Sequence, residues 1–354
     1  MISNIDSNFE RLRQKLEQLQ IIDNTILIFT TDNGTSNGYK FDQKENKWYG
    51  YNAGMRGTKT SEYDGGHRVP FLLYWKNKGF TGGQIYDGLS AHVDLLPTLA
   101  TFAKVEFSNE KKLDGIDLSH YIITNQEAER MLVTDTQRNQ WPEKHKQSCV
   151  MYSDWRLVNK NELYNVKKDP GQINNVFTEN TELVIKMQQF YDSWWKNASK
   201  EFRYTHIDIE PDRENILTAH DIHVDKTAWH QKDIRSGNTF ENGNFSVNFR
   251  QSGSYEIILR RWPKESQLAL NAGIMDGQPE RKYWNELING KKMNFISAYL
   301  ILDEEEYYVQ VDPLAQDARF KLFVDAGETT LETGFLLSDK TKTTAFYTEL
   351  KRLD

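Results

Sequence analysis

Residues 25–34 read TILIFTTDNG, and the fold class turns on them. From Thr25 to Thr31 there is no charge, and β-branched and aromatic side chains fall on both faces; Asp32-Asn33-Gly34 then ends the run as a turn. A strand apolar on both faces fits a sheet covered on both sides, as in parallel α/β sheets. Just upstream, Ile5, Phe9, Leu12, Leu16 and Leu19 recur at steps of four and three, which is one face of a helix. Ser3 or Asn4 suits its N-cap, and Asp23-Asn24 is the turn into the strand. Helix, short turn and buried strand predict an α/β domain.

Outward from this point, 69–75 (VPFLLYW) and 131–135 (MLVTD) are further strand candidates for the same sheet. A helix is expected over 92–104, with Val93, Leu96, Leu99 and Ala100 on one face and Ala103 beside it. So few strands make a thin sheet, and the sequence reads as the back half of a larger α/β domain. From 148 to 168 the pattern turns to short strands closed by the turn Lys168-Asp-Pro-Gly171. Residues 179–197 return to helix, with Leu183, Met187, Phe190 or Tyr191, and Trp194 on one stripe. Beyond about 204 come NFSVNF, SYEIILRRW, AYLILD, YYVQV, RFKLFVDA, TTLETGFLL and AFYTELKRL, separated by Gly, Asn and Asp. Evenly spaced short strands predict an all-β sandwich. The expected division is 1–122 for the α/β part, 123–204 for a small α+β subdomain and 205–354 for the sandwich.

Composition narrows the partners. Lys and Arg number 44 against 51 Asp and Glu, a formal charge of −7, with no basic patch of the kind a duplex-binding protein carries. Nucleic acid is not the expected partner. The single cysteine, Cys149, excludes an internal disulfide framework and a Cys-based zinc site. No run of 18 apolar residues occurs, so no transmembrane helix is expected. The charged, amphipathic start is unlike a signal peptide. The chain as written is therefore expected to carry no export signal, and its compartment stays open.

Two clusters carry candidate chemistry. Asp32 and Asn33 would stand at the carboxyl end of a strand, where open α/β sheets bind ligands. A carboxylate beside an amide carbonyl suits Ca²⁺ or Mg²⁺, although Asp-Asn-Gly is also an ordinary turn. Residues 54–70, GMRGTKTSEYDGGHRVP, combine glycines with Arg56, Lys59, His67 and Arg68. Glycines let backbone approach a ligand, and clustered cations suit sulfate or phosphate; a solvated surface loop reads equally well. His92 and Asp94 favour a helix-start role, Cys149 a buried small residue, and the group His220, Asp221, His223, Asp225, Trp229 and His230 loop packing over a metal or sugar site.

TILIFTTDNG, then GMRGTKTSEYDGGHRVPFLLYW, then SAHVDLLPTLATFA, in that order and spacing, resembles the sulfatase family, the arylsulfatase-like members of the alkaline-phosphatase superfamily. The helix of residues 1–20 and the stretch DWRLVNKNELYNVKKDPGQINNV resemble further family segments, so the likeness covers about residues 1–204. The part beyond resembles the accessory β-domain of some bacterial members, which are often periplasmic or secreted. The resemblance implies sulfate-ester hydrolysis assisted by a divalent cation, usually Ca²⁺, held in part by Asp32 and Asn33. It implies that Lys59 binds the sulfate ester and that His67 lines the pocket, with Arg56 and Arg68 ordering the loop. The family's nucleophile is a formylglycine made from Cys or Ser in a Cys/Ser-x-Pro/Ala-x-Arg motif. No Cys or Ser here stands in that motif, and the first pair of metal-binding aspartates is not found. The expectation is a C-terminal part of a sulfatase, inactive alone, with the missing N-terminal half as one conceivable partner and a sulfated small molecule or glycan as substrate. Two other readings stand beside it: a non-catalytic carbohydrate-binding role of the β-domain, and a related phosphoester hydrolase.

Overall fold

The computed structural model describes residues 2–36, 40–42, 44–45, 47–106, 113–137, 139–274 and 289–354. The chain forms two compact units, Met1–Glu201 and Phe202–Asp354. The architecture is mixed α/β in the first unit and a β-sandwich in the second.

In the first unit, helix α1 (Ile2–Gln18) leads into β1 (Leu27–Thr30). A hairpin of β2 (Lys40–Asp42) and β3 (Lys47–Tyr49) follows, then a single helical turn, α2 (Asp64–His67), and β4 (Phe71–Tyr74). β1 and β4 pair antiparallel, from Leu27 opposite Tyr74 to Thr30 opposite Phe71. This corrects the parallel arrangement that the apolar strand suggested. A parallel pair needs a crossover, usually a full helix, and the described residues between these strands offer only a hairpin and one helical turn. The pair is also thinly covered. Neither strand has a buried residue, and α1 buries none, although Phe9 meets Phe29 edge-on at 5.9 Å.

Helix α3 (Leu95–Ala103) corrects a second expectation. Val93 and Leu96, assigned to its inner face, are 48% and 57% exposed, whereas Asp94, Pro97 and Thr98 are buried. Polar anchoring sets this rotation. The Asp94 carboxylate accepts from Arg130 at 2.6 Å and from the Ala91 and Ile116 amides, and the Thr98 hydroxyl accepts from the Leu118 amide. A buried carboxylate is tolerable only when paired and hydrogen-bonded in this way. Phe102 packs on Trp75 and Phe80.

After α4 (Ser119–Thr124), the strands β5 (Met131–Asp135), β6 (Ser148–Tyr152), β7 (Trp155–Val158) and β8 (Glu162–Asn165) form an antiparallel meander in chain order. MLVTD thus belongs here and not beside β1. Its two faces divide by alternation, the strand's period of two. Val150, Leu157 and Leu163 pack with Val184, Met187 and Tyr191 of α5 (Thr181–Ala198). Cys149, Met151, Val158 and Tyr164 face the other way, toward Tyr63, Leu89 and Ala91. Cys149 is fully buried, as a small packing residue, and burial pushes its thiol well above the usual range.

The second unit holds β9 (Ile207–Ile209), β10 (Asn215–Thr218), α6 (Gln231–Ser236), β11 (Asn244–Phe249), β12 (Gly253–Arg260), β13 (Phe295–Leu302), β14 (Glu305–Gln310), β15 (Ala318–Val324), β16 (Gly327–Leu337), β17 (Lys342–Thr344) and β18 (Tyr347–Arg352). One sheet runs β10-β18-β12-β15, and the other β14-β13-β16-β11-β9, with β17 paired to β16. Between them lie Phe245, Phe249, Tyr255, Ile257, Leu259, Phe295 and Phe335. Every strand expected from the alternation is present. Arg261 is buried, and its guanidinium donates to the carbonyls of Leu270, Ala272, Ile234 and Lys291. Among the described residues of the chain, no helix is long and apolar enough to cross a membrane.

Candidate functional site

The two candidate clusters meet through their backbones. At the end of β1 the chain turns through Asp32, Asn33 and Gly34. The Gly34 amide donates to the Gly66 carbonyl at 3.0 Å, and the Lys59 amide donates to the Thr35 carbonyl at 2.8 Å. Glycine is required at this junction: a Cβ on Gly34 would stand 1.8 Å from the Gly65 carbonyl oxygen. The same holds one layer further in, where a Cβ on Gly65 would stand 2.3 Å from the Gly57 carbonyl oxygen. The glycines therefore serve close main-chain approach.

Asp32 is exposed and Asn33 half-buried. The Asp32 carboxylate accepts from the Asn33 amide at 3.0 Å. The Asn33 side-chain Nδ2 donates to the Gly34 carbonyl at 2.8 Å, which leaves its Oδ1 as the atom suited to a cation. His92 reaches the strand end from another element, its Nε2 lying 3.1 Å from the Thr31 carbonyl oxygen. His92 thus helps to hold the turn, and Asp94 is a buried anchor. Two hard oxygen donors suit Ca²⁺ or Mg²⁺ chemically but supply only part of the six to eight oxygens that Ca²⁺ takes. Among the described residues, no group of three or more His, Cys, Asp or Glu side chains is assembled for a metal.

Lys59 is exposed on the loop, and Thr60 after it sits at φ 73°. That conformation is rare for a β-branched residue, and such strain persists only where the surroundings hold it. The surroundings here are a clamp. Asp64, 1% exposed, accepts from Arg156 Nε at 2.8 Å, and its own amide donates to Gln172 Oε1. Burial works to raise the Asp64 pKa, but His67 and Arg156 outweigh it and hold the carboxyl at about 2. Arg56 donates to the Gln172 carbonyl at 2.9 Å and lies 3.7 Å from the centre of the Tyr63 ring. Tyr63 and Tyr164 both donate to Glu162, at 2.9 and 2.5 Å. Burial and that carboxylate push Tyr164 up to about 12 and Tyr63 higher still. Asn159 donates to Glu62.

His67 turns inward. Its Nε2 lies 3.5 Å from Asp64 Oδ1, and neither ring nitrogen makes a hydrogen bond among the described residues. Arg68 stays exposed, 3.7 Å from Asp64 Oδ2. The structure thus brings Asp32, Asn33 and the Lys59 loop to one junction. It adds Asp64, Arg156, Glu162 and Gln172, which sequence reasoning missed; the one local signal was a charged residue, Arg156, inside an apolar strand. In the second-unit group, Asp221 accepts from Thr218, His220 packs on Trp229, and His223 stacks on Tyr204.

The Sulfatase family model matches residues 1–105. An N-acetylgalactosamine-6-O-sulfatase of Bacteroides thetaiotaomicron is 26% identical over 210 residues, covering 54% of this chain and 40% of that protein. An N-acetylglucosamine-6-O-sulfatase of the same organism is 26% identical over 229 residues, covering 60% and 36%. The chain thus spans well under half the length of these curated relatives. Among solved structures, Ps i-CgsB in complex with k-i-k-neocarrahexaose is similar with a TM-score of 0.48 and 23% identity, over 58% of this chain and 44% of that one. The motif order, the matched residues and these relatives agree in one respect: residues 1–105 are similar to the sulfatase family.

Proposed function

We propose that the first unit carries the later part of a sulfate-ester hydrolase site. One observation carries the reading: the paired main-chain contacts of Gly34 with Gly66 and of Lys59 with Thr35 hold an Asp-Asn turn and a cationic loop together. In this reading Lys59 contacts a sulfate oxygen, and Asp32 with Asn33 holds part of the shell of a Ca²⁺ ion, with Mg²⁺ as the alternative. A cation bound there would neutralise charge on the sulfate oxygens, and preorganised cationic contacts of this kind are usually the largest catalytic contribution. Arg56 and Asp64 keep the Lys59 loop in place, and His67 bears on Asp64. The substrate class is a sulfated sugar or aryl sulfate, in keeping with the named activities of the relatives. No residue of this chain fits the nucleophile motif, so the chain alone binds without turnover.

Titration of p-nitrophenyl sulfate and p-nitrophenyl phosphate into the pure chain, with and without Ca²⁺, tests this. The expected result is weak, Ca²⁺-dependent binding that prefers the sulfate, is lost in Lys59→Ala, and gives no released nitrophenol. Binding that ignores Lys59, prefers phosphate, or comes with Ca²⁺-dependent hydrolysis by the pure chain would overturn the reading. Ca²⁺ itself should bind weakly; sub-micromolar affinity lost in Asp32→Ala would imply a complete shell.

A further inference from the structure

The segment 218–236 of the second unit is built more rigidly than a connecting loop needs. The Thr218 amide and hydroxyl both donate to Asp221, at 2.7 and 2.9 Å. The Thr227 hydroxyl donates to the Ala219 carbonyl at 2.6 Å. Asp233 accepts from the amides of both Trp229 and His230 at 2.9 Å. Ala219, Ile222 and Ala228 are buried in the sandwich core. The main chain at Trp229 is thus held on one side by the buried Ala228 and on the other by the Asp233 carboxylate.

What this framework presents is an indole. Trp229 is 58% exposed and is the one exposed large apolar side chain among the described residues of 218–236. His220 packs against it, with ring centres 4.9 Å apart, and the His220 Nε2 reaches the Trp229 carbonyl oxygen at 3.3 Å. Exposing an indole forgoes burial energy, and fixing it in advance removes an ordering cost that a ligand would otherwise meet on binding.

We propose that Trp229, backed by His220, is a sugar-stacking platform that takes a pyranose ring of a polysaccharide. A sugar ring offers an apolar face of C–H bonds to an aromatic plane and a rim of hydroxyls to polar neighbours. Asp225, Lys226 and His230, all exposed and within four residues of Trp229 in the chain, are the polar groups available to such hydroxyls, since ligand sites combine an apolar contact with a few polar groups that fix orientation. A protein partner would need an apolar centre within about 800 Å² per side, and a lone indole in a polar segment is not one. The formal charge of −7 disfavours nucleic acid. The site lies in the second unit and does not depend on sulfate-ester chemistry in the first.

The test is native electrophoresis of the full chain through gels containing carrageenan, chondroitin sulfate, galactan or mannan. Retardation is expected in at least one gel, weakened roughly ten-fold in Trp229→Ala, as for loss of one aromatic stacking contact, and largely kept in Trp229→Tyr. Galactan and mannan carry no sulfate, so retention there is independent of the first unit; retention confined to carrageenan and chondroitin sulfate and kept in Trp229→Ala would assign binding to the first unit instead. Thermal melts of each variant check folding, and if Trp229→Ala is destabilised, Trp229→Tyr and His220→Ala decide the matter. Retardation by none of the four polysaccharides, equal retardation of the parent and the alanine variant, or a tyrosine variant as weak as alanine would each overturn the proposal. So would capture of a polypeptide partner through Trp229 with no polysaccharide retention.

Discussion

Two ladders of similar sequence chemistry end differently in this chain. β1 and β4 set Leu27, Ile28 and Phe29 opposite Tyr74, Leu73 and Leu72, yet no residue of either strand is buried, and Phe71 and Leu72 are 43% and 63% exposed. In the second unit, Phe245, Val247, Phe249, Tyr255, Ile257, Phe295 and Phe335 are all at most 2% exposed. Both are paired in antiparallel register. What differs is a second layer: the sandwich closes one sheet on another, whereas α1, which touches β1 through Phe9 and Phe29, has no buried residue of its own. Each large apolar side chain left in water forgoes about 1.5–3 kcal/mol, against a total stability of about 5–15 kcal/mol. Pairing sets register; layering sets stability.

The comparison breaks most visibly under proteolysis. A resistant fragment beginning near residue 202 is expected, with rapid amide exchange along α1, β1 and β4. Phe249→Ala should destabilise that fragment by about 3–5 kcal/mol, the usual cost of emptying a core position. One cooperative transition with uniform protection over both units would end the contrast. The next largest effect lies within the first unit. Asp64→Asn leaves Arg156 buried without its counter-charge, an error that costs about 3 kcal/mol or more. Urea melts should show it in the first unit alone; an unchanged midpoint there would mean that the clamp is ornamental.

Acid sharpens the same point with a smaller effect. The Asp64 carboxyl is depressed in the folded chain, from 3.8 to about 2. Its contribution is therefore present above pH ~4 and lost as pH falls toward ~2, amounting to about 2 kcal/mol. The Asp64→Asn variant should lack that acid dependence. The smallest effect belongs to α1: Leu12, 47% exposed, should tolerate replacement by Ala within about 0.5 kcal/mol. A loss of several kcal/mol in the isolated chain would show a covering layer for α1.

The sequence was most legible where the pattern is local. Alternation marked the sandwich strands because each has one wet and one dry face, and the four-three spacing marked α1. β9, β10 and β17 escaped notice because three or four residues show no period. The direction of β4 was hidden because an apolar run does not state which neighbour it joins. The inner face of α3 is hidden because the residue that anchors its start, Asp94, is a charge, made tolerable by Arg130 and two amides. At the site, Asp32, Asn33 and Lys59 stood out by residue type. The bond between Asp64 and Arg156 did not, since 92 residues separate them and nothing local records the pairing.

The junction of Gly34 with Gly66 has a consequence for how this site can fail. Main chain faces main chain there, at a separation of one hydrogen bond, with no side chain between to compress or rotate. A gap of that kind has no soft setting. Repacking elsewhere can leave it shut or spring it open, but cannot tune it by tenths of an ångström. The Asp-Asn turn and the Lys59 loop should therefore lose their alignment as a switch does, all at once, and sequence drift at these glycines should meet a wall and not a slope.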